Sequence, residues 1–103
     1  IDWTRPAEDT ERAMRAFDPF PGAASSVRDT VVKCWSGTVV RGAGEPGTVL
    51  AIDDEGGGGI TIACGRDALR CTVLQRPGSK RLPAGEFQRG FPVSVGERFA
   101  TPG

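Results

Sequence analysis

Two short runs of alternating apolar residues constrain the fold of this chain more than any other feature of its sequence. Residues 60–64 and 69–73 each place an apolar side chain at every second position. A period of two is typical of a β-strand that buries one face and exposes the other. The segment Cys64–Ala68 between the runs contains Gly and Asp, which favour turns, so the pair predicts a β-hairpin.

Further strands are predicted on both sides of the hairpin. They cover residues 23–27, 31–40 and 47–53 before it, and residues 92–95 with 97–99 as a last strand after it. Gly37 lies inside the longest run and predicts a bend or bulge there. The 15 Gly and 8 Pro residues lie between the runs, as expected of short strands joined by turns. This spacing favours a small antiparallel barrel.

Two helices complete the predicted elements. The first covers Pro6–Phe17 and ends at the proline-rich segment Asp18–Gly22. Its buried stripe is predicted from helical spacing to be Thr10, Ala13, Met14 and Phe17. The second is a short helix over Ala84–Arg89, with Gly90 as a left-handed cap. The expected fold class is therefore mainly β, with one N-terminal helix and one short late helix.

The length and the charge distribution bound the possible functions. A chain of 103 residues predicts a single domain over residues 1–103, with little room for a deep, closed active site. The formal net charge is zero, but residues 1–55 carry a net charge of −4 and residues 56–103 one of +4. This asymmetry is compatible with a basic surface that meets an anion, and equally with an ordinary mixed, solvated surface.

The chain lacks the residues of most catalytic and metal sites. It contains no His and no Tyr, which excludes Ser-His and Cys-His pairs. Cys34, Cys64 and Cys71 match no zinc spacing and lie in apolar runs, so we expect them to be buried. Their odd number, without a secretory segment, favours a reducing, cytoplasmic location. We therefore predict no catalytic residue, no metal and no membrane span in this chain.

Binding chemistry is better represented than catalysis. Five cations lie within sixteen positions on or beside the hairpin: Arg66, Arg70, Arg76, Lys80 and Arg81. Such a surface suits the phosphate backbone of a nucleic acid, because contacts to phosphates are mainly electrostatic. Trp35 is the best candidate for base stacking, but it is better explained as cover for the barrel, with the stem of Lys33 on its ring. Phe87 and Phe91 are expected to hold the last helix to the core.

Five segments in order resemble the C-terminal domain of the methionyl-tRNA formyltransferase family. They are IDWTRPAEDTERAMRAFDPFPGA (1–23), VVKCWSGTVV (31–40), EPGTVLAID (45–53), GITIACGRDALRCTVLQ (59–75) and GSKRLPAGEFQRG (78–90). The resemblance implies a small, partly open Greek-key barrel similar to an OB-fold. It also implies an N-terminal catalytic domain that binds 10-formyltetrahydrofolate and formylates methionine on initiator tRNA. The catalytic Asn, His and Asp of the family belong to that other domain, so none matches this chain.

The resemblance further implies that the domain presents a basic face to initiator methionyl-tRNA during translation initiation. The positions that match best are Lys80 and Arg81, and the further tRNA-binding candidates are Lys33, Arg66, Arg70 and Arg76. The implied partners are initiator methionyl-tRNA and the N-terminal catalytic domain. No cofactor is assigned to this chain, and the implied fragment is non-catalytic by itself.

Two alternatives remain open at this stage. The same barrel serves a structural role if the parent is another formyl-transferring enzyme, such as a sugar-nucleotide formyltransferase or a formyltetrahydrofolate hydrolase-like enzyme. The second alternative is a free-standing nucleic-acid-binding module. Because the chain begins at Ile1 rather than Met, we expect it to be part of a longer or processed polypeptide, which disfavours the free-standing module.

Overall fold

A computed structural model describes residues 1–101 of the chain. Two helices and six strands are present, with a short 3₁₀ turn at Glu55–Gly57. The helices are α1 (Ala7–Ala16) and α2 (Ala84–Gly90). The strands are β1 (Ala23–Val27), β2 (Thr30–Val40), β3 (Val49–Asp53), β4 (Gly59–Ala63), β5 (Ala68–Gln75) and β6 (Leu82–Pro83). The predicted mainly β class with an early and a late helix is confirmed.

All six strands belong to one antiparallel sheet in the order β1-β2-β5-β4-β3. Strands β4 and β6 pair with the same side of β5: β4 pairs with the first half of β5, and β6 pairs with its end. Strands β3, β4 and β5 follow one another as neighbours, and β2 lies beside β5, which is the strand order of a Greek key. Within the described residues the edge strands β1 and β3 do not pair with each other, so the barrel is partly open.

The C-terminal segment fills this opening without forming the predicted last strand. Residues 92–99 contain no strand, and the prediction of one was wrong. The reason is that the segment bonds to both edges of the sheet in turn. The Phe99 N–H donates to the Gly47 carbonyl at 2.8 Å, next to β3, and the Ala100 N–H donates to the Ser26 carbonyl on β1 at 2.7 Å. A segment that divides its hydrogen bonds between two strands forms no continuous ladder with either.

The predicted hairpin is confirmed as β4 and β5, which pair antiparallel with Ile62 opposite Leu69. The expected alternation holds less well in β4, where all five residues are buried. The loop before β3 accounts for part of this, since Gly44 packs against Ala63 on the face that was predicted to be wet. A strand covered on both faces needs no polar alternation.

The ends of both helices differ from the sequence prediction. Helix α1 ends at Ala16, so Phe17 leaves the helical register and is 45% exposed, although it was predicted to be buried. Helix α2 includes Gly90, and the residue after the helix is Phe91 with a φ of −145°. The prediction of a left-handed cap at Gly90 was therefore wrong. Both differences lie at the C-terminal end of a helix, where tertiary packing rather than helix propensity selects the last helical residue.

The N-terminus of α1 is anchored on the turn between β4 and β5. The Ala7 N–H donates to the Arg66 carbonyl and the Gly65 N–H donates to the Arg5 carbonyl, both at 3.0 Å. The backbones approach so closely that a Cβ at Gly65 would lie 1.9 Å from the carbonyl oxygen of Thr4. Glycine is therefore required at this position by close approach of two backbones.

The core confirms the expected burial of all three cysteines. Cys34, Cys64 and Cys71 are free and buried, and the sulfur atoms of Cys34 and Cys71 lie 3.8 Å apart. The hydrogen bond between these two thiols, together with burial, raises the pKa of Cys71. Burial raises the pKa of Cys64 to about 11. At neutral pH the thiols of Cys64 and Cys71 are therefore protonated and shielded, which removes them as nucleophiles.

Replacing Gly65 by Ala should destabilise the fold by about 2–3 kcal/mol, because the new methyl group overlaps the Thr4 carbonyl and forces α1 away from the hairpin. Urea unfolding at neutral pH measures the loss. The same change at Gly90 is the matched control, since a Cβ there meets only the flexible end of Arg76 at 3.2 Å. Equal stability of the two variants would contradict the close approach.

The free energy of unfolding should fall as the pH rises from about 9 to about 11. A free thiol titrates near 9.0 and the buried Cys64 thiol near 11, so the unfolded chain loses its proton first and is favoured over this range. Urea titrations between pH 8 and 11 measure the change. The Cys64→Ala variant should lack this part of the loss, and an unchanged pH dependence in that variant would count against the raised pKa.

Candidate nucleic-acid interface

The six predicted binding cations do not form one patch in the structure. Strand β5 has eight residues and a length of roughly 26 Å, with Arg66 just before it and Arg76 just after it. Arg70 lies between them on the strand itself. The remaining candidates lie at the Arg76 end: Lys33, Lys80 and Arg81. We call Lys33, Arg76, Lys80 and Arg81 the basic cluster.

An irregularity in the pairing of β2 with β5 lies at Trp35, at the centre of the basic cluster. Cys34 pairs with Leu74 and Ser36 pairs with Val73, so Trp35 has no partner on β5, and Thr72 is passed over in turn before Gly37 pairs with Cys71. The irregularity lies next to Gly37, where the sequence predicted a bend or bulge. Trp35 lies on the face opposite Cys34, where it is a platform for long side chains.

Two members of the cluster cover this platform. The guanidinium carbon of Arg81 lies 3.5 Å from the centre of the Trp35 ring, and the Lys33 ammonium lies 5.7 Å from it. Both distances are within the range of cation–π attraction. Trp35 is only 8% exposed as a result, which supports its predicted role as cover for the barrel. Its ring faces are taken by cations rather than open to a base.

A hydrogen-bond relay attaches the turn that carries Lys80 to the same platform. The Nε1–H of Trp35 donates to Oε1 of Gln75 at 2.7 Å, and Nε2 of Gln75 donates to the Ser79 carbonyl at 2.6 Å. The Ser79 N–H in turn donates to the Arg76 carbonyl at 3.1 Å, closing the turn. Lys80 is thus held close to the end of β5 although its own side chain is exposed.

Arg76 extends the cluster towards α2. Its guanidinium carbon lies 5.4 Å from the centre of the Phe91 ring, and that of Arg28 lies 4.5 Å from the same ring. Phe91 packs edge-on against Phe87, which is 1% exposed, at a centroid separation of 5.7 Å. This geometry agrees with the expectation that Phe87 and Phe91 attach the last helix to the core.

The charges of the basic cluster are largely available to a ligand. Within residues 1–101, no carboxylate oxygen lies within 4.0 Å of a side-chain nitrogen of Lys33, Arg76 or Lys80. Arg81 pairs with Asp18 at 3.1 Å, but their side chains are 42% and 40% exposed. An ion pair that is this exposed contributes little and exchanges readily with another anion.

Arg66 and Arg70 are placed differently. Arg66 pairs with Glu8 on α1 at 2.9 Å. Arg70 donates two hydrogen bonds to Asp53, at 3.0 and 2.6 Å, and a third to the Glu55 carbonyl at 2.8 Å. The hydrogen bonds from Arg70 hold the pKa of Asp53 below its usual value. Arg70, whose side chain is 23% exposed, therefore has a carboxylate that offsets its charge. The Arg66–Glu8 pair is more exposed, at 68% and 39%, so Arg66 differs from the basic cluster by its position at the far end of β5 rather than by its pairing.

The sequence analysis missed one exposed aromatic residue beside the cluster. Phe20 is 84% exposed and lies between Pro19 and Pro21, in the loop that joins α1 to β1. Gly22 ends this loop against the platform, since a Cβ there would lie 2.8 Å from Cη2 of Trp35. The signal in the sequence for this exposure was the position of an aromatic residue between two prolines. Such a residue cannot be part of a helix interior or a central strand, so it belongs to a surface loop.

Other surfaces of the described chain are less suited to binding a charged ligand. A groove of about 550 Å³ lies between α1 and β1, but the charges of Arg5 and Arg12 along it are both paired with Asp9. Residues 1–101 contain no group of three or more potential metal-ligating acidic, Cys or His side chains. Among these residues no helix is long and apolar enough to cross a membrane. Among the described residues, the basic cluster is therefore the candidate site with cations that have no carboxylate partner.

Comparison with known proteins identifies the family of this fold. The family model described as the C-terminal domain of formyl transferases matches residues 1–92. The methionyl-tRNA formyltransferase of Aromatoleum aromaticum is 57% identical over 99 residues, which cover 96% of this chain and 30% of that protein. The enzyme of the same name from Burkholderia thailandensis is 48% identical over 104 residues, covering 99% of this chain and 31% of that protein.

A solved structure supports the same relationship at greater distance. HypX from Aquifex aeolicus, solved in complex with tetrahydrofolic acid, superposes with a TM-score of 0.72 at 28% identity. The match covers 92% of this chain and 17% of HypX. This chain therefore spans less than a third of the length of the relatives it matches.

Replacing Arg81 by Ala should expose Trp35 to solvent, because the guanidinium group covers one side of its ring. Quenching of Trp fluorescence by acrylamide should increase, while the fully buried Trp3 gives a constant background. Arg66→Ala removes the same side chain at the far end of β5 and should leave quenching unchanged. Equal quenching in the wild-type chain and in Arg81→Ala would show that Arg81 does not cover the ring.

Proposed function

Because this chain belongs to the family of formyl transferase C-terminal domains, we propose that it is the C-terminal domain of a methionyl-tRNA formyltransferase and binds initiator tRNA. Identity of 57% over nearly the whole chain supports the parent enzyme. The basic cluster supports the role of the domain, since it collects four cations at one end of a sheet in a chain without net charge. This concentration of positive charge is the observation that carries the proposal.

The proposed contacts are with the phosphate backbone. Lys33, Arg76 and Lys80 reach phosphates directly, and Arg81 exchanges its exposed pair with Asp18 for a phosphate while remaining on the Trp35 ring. Arg66 and Arg70 remain candidates, but they contribute less, because Asp53 offsets the charge of Arg70 and Arg66 lies at the far end of β5, away from the basic cluster. For so few cations without a deep groove, the affinity of this chain alone is on the order of 10⁻⁴–10⁻⁶ M at physiological salt.

In the proposed parent enzyme this domain positions the substrate while the preceding domain performs the chemistry. That domain transfers a formyl group from 10-formyltetrahydrofolate to methionyl-tRNA during translation initiation in the cytoplasm. We assign no folate-binding or catalytic residue to this chain. Its contribution to the rate is orientation of a large substrate, which keeps the methionyl end of the tRNA within reach of the catalytic groups.

A second candidate is a structural role in another enzyme that uses folate chemistry. HypX, which was solved in complex with tetrahydrofolic acid, contains a barrel with a similar fold, which favours this possibility. In that case the barrel packs against its parent and contacts no RNA. The higher identity to methionyl-tRNA formyltransferases, 57% against 28%, favours the first proposal.

The combined change Lys80→Glu and Arg81→Glu should weaken binding of initiator tRNA and reduce its salt dependence. Two phosphate contacts are lost, so the slope of log K against log salt should fall by about two. Binding is measured over a salt series with heparin and duplex DNA as competitors. The change Arg41→Glu with Arg98→Glu is the matched control, because it alters the net charge equally away from the basic cluster: Arg41 follows the last residue of β2, and Arg98 bridges Thr48 just before β3.

Equal losses in the two double variants would show a general charge effect rather than a site. Unchanged tRNA binding after the Lys80 and Arg81 changes would contradict the proposal. The further change Arg66→Gln with Arg70→Gln separates the two groups of cations. It should reduce tRNA affinity less than the changes in the basic cluster, because Asp53 already offsets the charge of Arg70 and Arg66 lies at the far end of β5.

A further inference from the structure

Phe20 is the most exposed of the large apolar side chains within residues 1–101. It is 84% exposed, compared with 62% for Val95 and 45% for Phe17. Pro19 and Pro21 flank it, and proline restricts the backbone of its own residue and of the residue before it. A large exposed ring on a restricted backbone buries no apolar surface within the described chain and loses little conformational entropy when a ligand covers it.

The loop that carries Phe20 is attached to the basic cluster on both sides of the ring. Two residues before it, Asp18 accepts hydrogen bonds from Arg81 at 3.1 and 3.4 Å. Two residues after it, Gly22 lies against Trp35 and the stem of Lys33, where a Cβ would be 2.8 Å and 3.1 Å from their nearest atoms. The loop that carries the exposed ring is therefore attached beside Lys33, which has no carboxylate partner within residues 1–101, and Arg81, whose exposed pair with Asp18 can exchange for a phosphate.

We propose that Phe20 is a stacking platform for an unpaired nucleobase of the bound RNA. The proposal rests on the proposed function, since the cluster must hold the phosphates of the same nucleotides. A ring next to free cations is the combination with which proteins bind single strands, one part for the base and one for the backbone. The alternative platform, Trp35, is already covered by Arg81 and Lys33.

Charge complementarity favours RNA over a protein partner on this loop. The loop carries Asp18, which is paired with Arg81, and it lies against Lys33 and Trp35. A protein interface needs a broad apolar centre with few charges. A single exposed ring on a loop attached to two cations is too small for that, but it matches the area of one base.

The experiment compares single-stranded and duplex RNA as probes for the full chain. The single strand is a ten-nucleotide oligouridine, and the duplex is a blunt RNA with the same number of phosphates. The change Phe20→Ala should weaken binding of the single strand about ten-fold and leave the duplex unaffected, because paired bases present no free face. Its salt slope should be unchanged, since no charge is removed.

Two further variants show whether the aromatic face is responsible. Phe20→Trp should retain or improve affinity for the single strand, whereas Phe20→Leu, which is apolar but has no ring, should behave like Phe20→Ala. Val95→Ala removes another exposed apolar side chain and serves as the control, with affinity unchanged. Thermal unfolding should be the same in all four variants, because both side chains are exposed.

The outcomes separate this inference from the proposed function. If Phe20→Ala binds oligouridine like the wild-type chain while the Lys80 and Arg81 changes still weaken RNA binding, the stacking role is wrong and the proposed function stands. If Phe20→Ala weakens single strand and duplex equally, stacking is also wrong. If the Lys80 and Arg81 changes have no effect on either probe, the proposed function and this inference both fail.

Discussion

The bulge in β2 at Trp35 is the constraint on which the rest of this structure depends. It allows one strand of eleven residues to pair with β1 at its beginning and with β5 along its length while the sheet curves. At the bulge Cys34 is fully buried in the core, while Trp35 lies on the opposite face and is 8% exposed beneath Arg81 and Lys33.

The proposed binding surface consists of the side chains that pack against Trp35 and the turn that is hydrogen-bonded to it. Arg81 and Lys33 lie on the ring, and Gln75 connects it to the turn that precedes Lys80. Elsewhere in the described chain the other exposed arginines of α1 and the hairpin are paired with carboxylates, as Arg66 is with Glu8. A chain with zero net charge thus presents a local positive charge because its acidic residues offset cations elsewhere.

Much of the fold could be predicted from the sequence, because local patterns are strong in a chain of short strands. The hairpin β4–β5, the bulge next to Gly37 and the buried cysteines were all predicted from alternation and glycine placement. The prediction of a last strand over residues 92–99 was wrong, since the hydrogen bonds of this segment go to two separate strands. The predicted burial of Phe17 was wrong because α1 ends one residue earlier than the helical spacing suggested.

The sequence by itself determined the class of fold, the family and the types of residue available for binding. These depend on local periodicity, turn residues and ordered motifs, which are all read along the chain. Only the tertiary structure decided which cations are available, since pairing of Arg70 with Asp53 and of Arg81 with Asp18 joins residues that are far apart in sequence. It also decided that Trp35 is covered and Phe20 exposed, because burial depends on which segments pack together and not on the side chain alone.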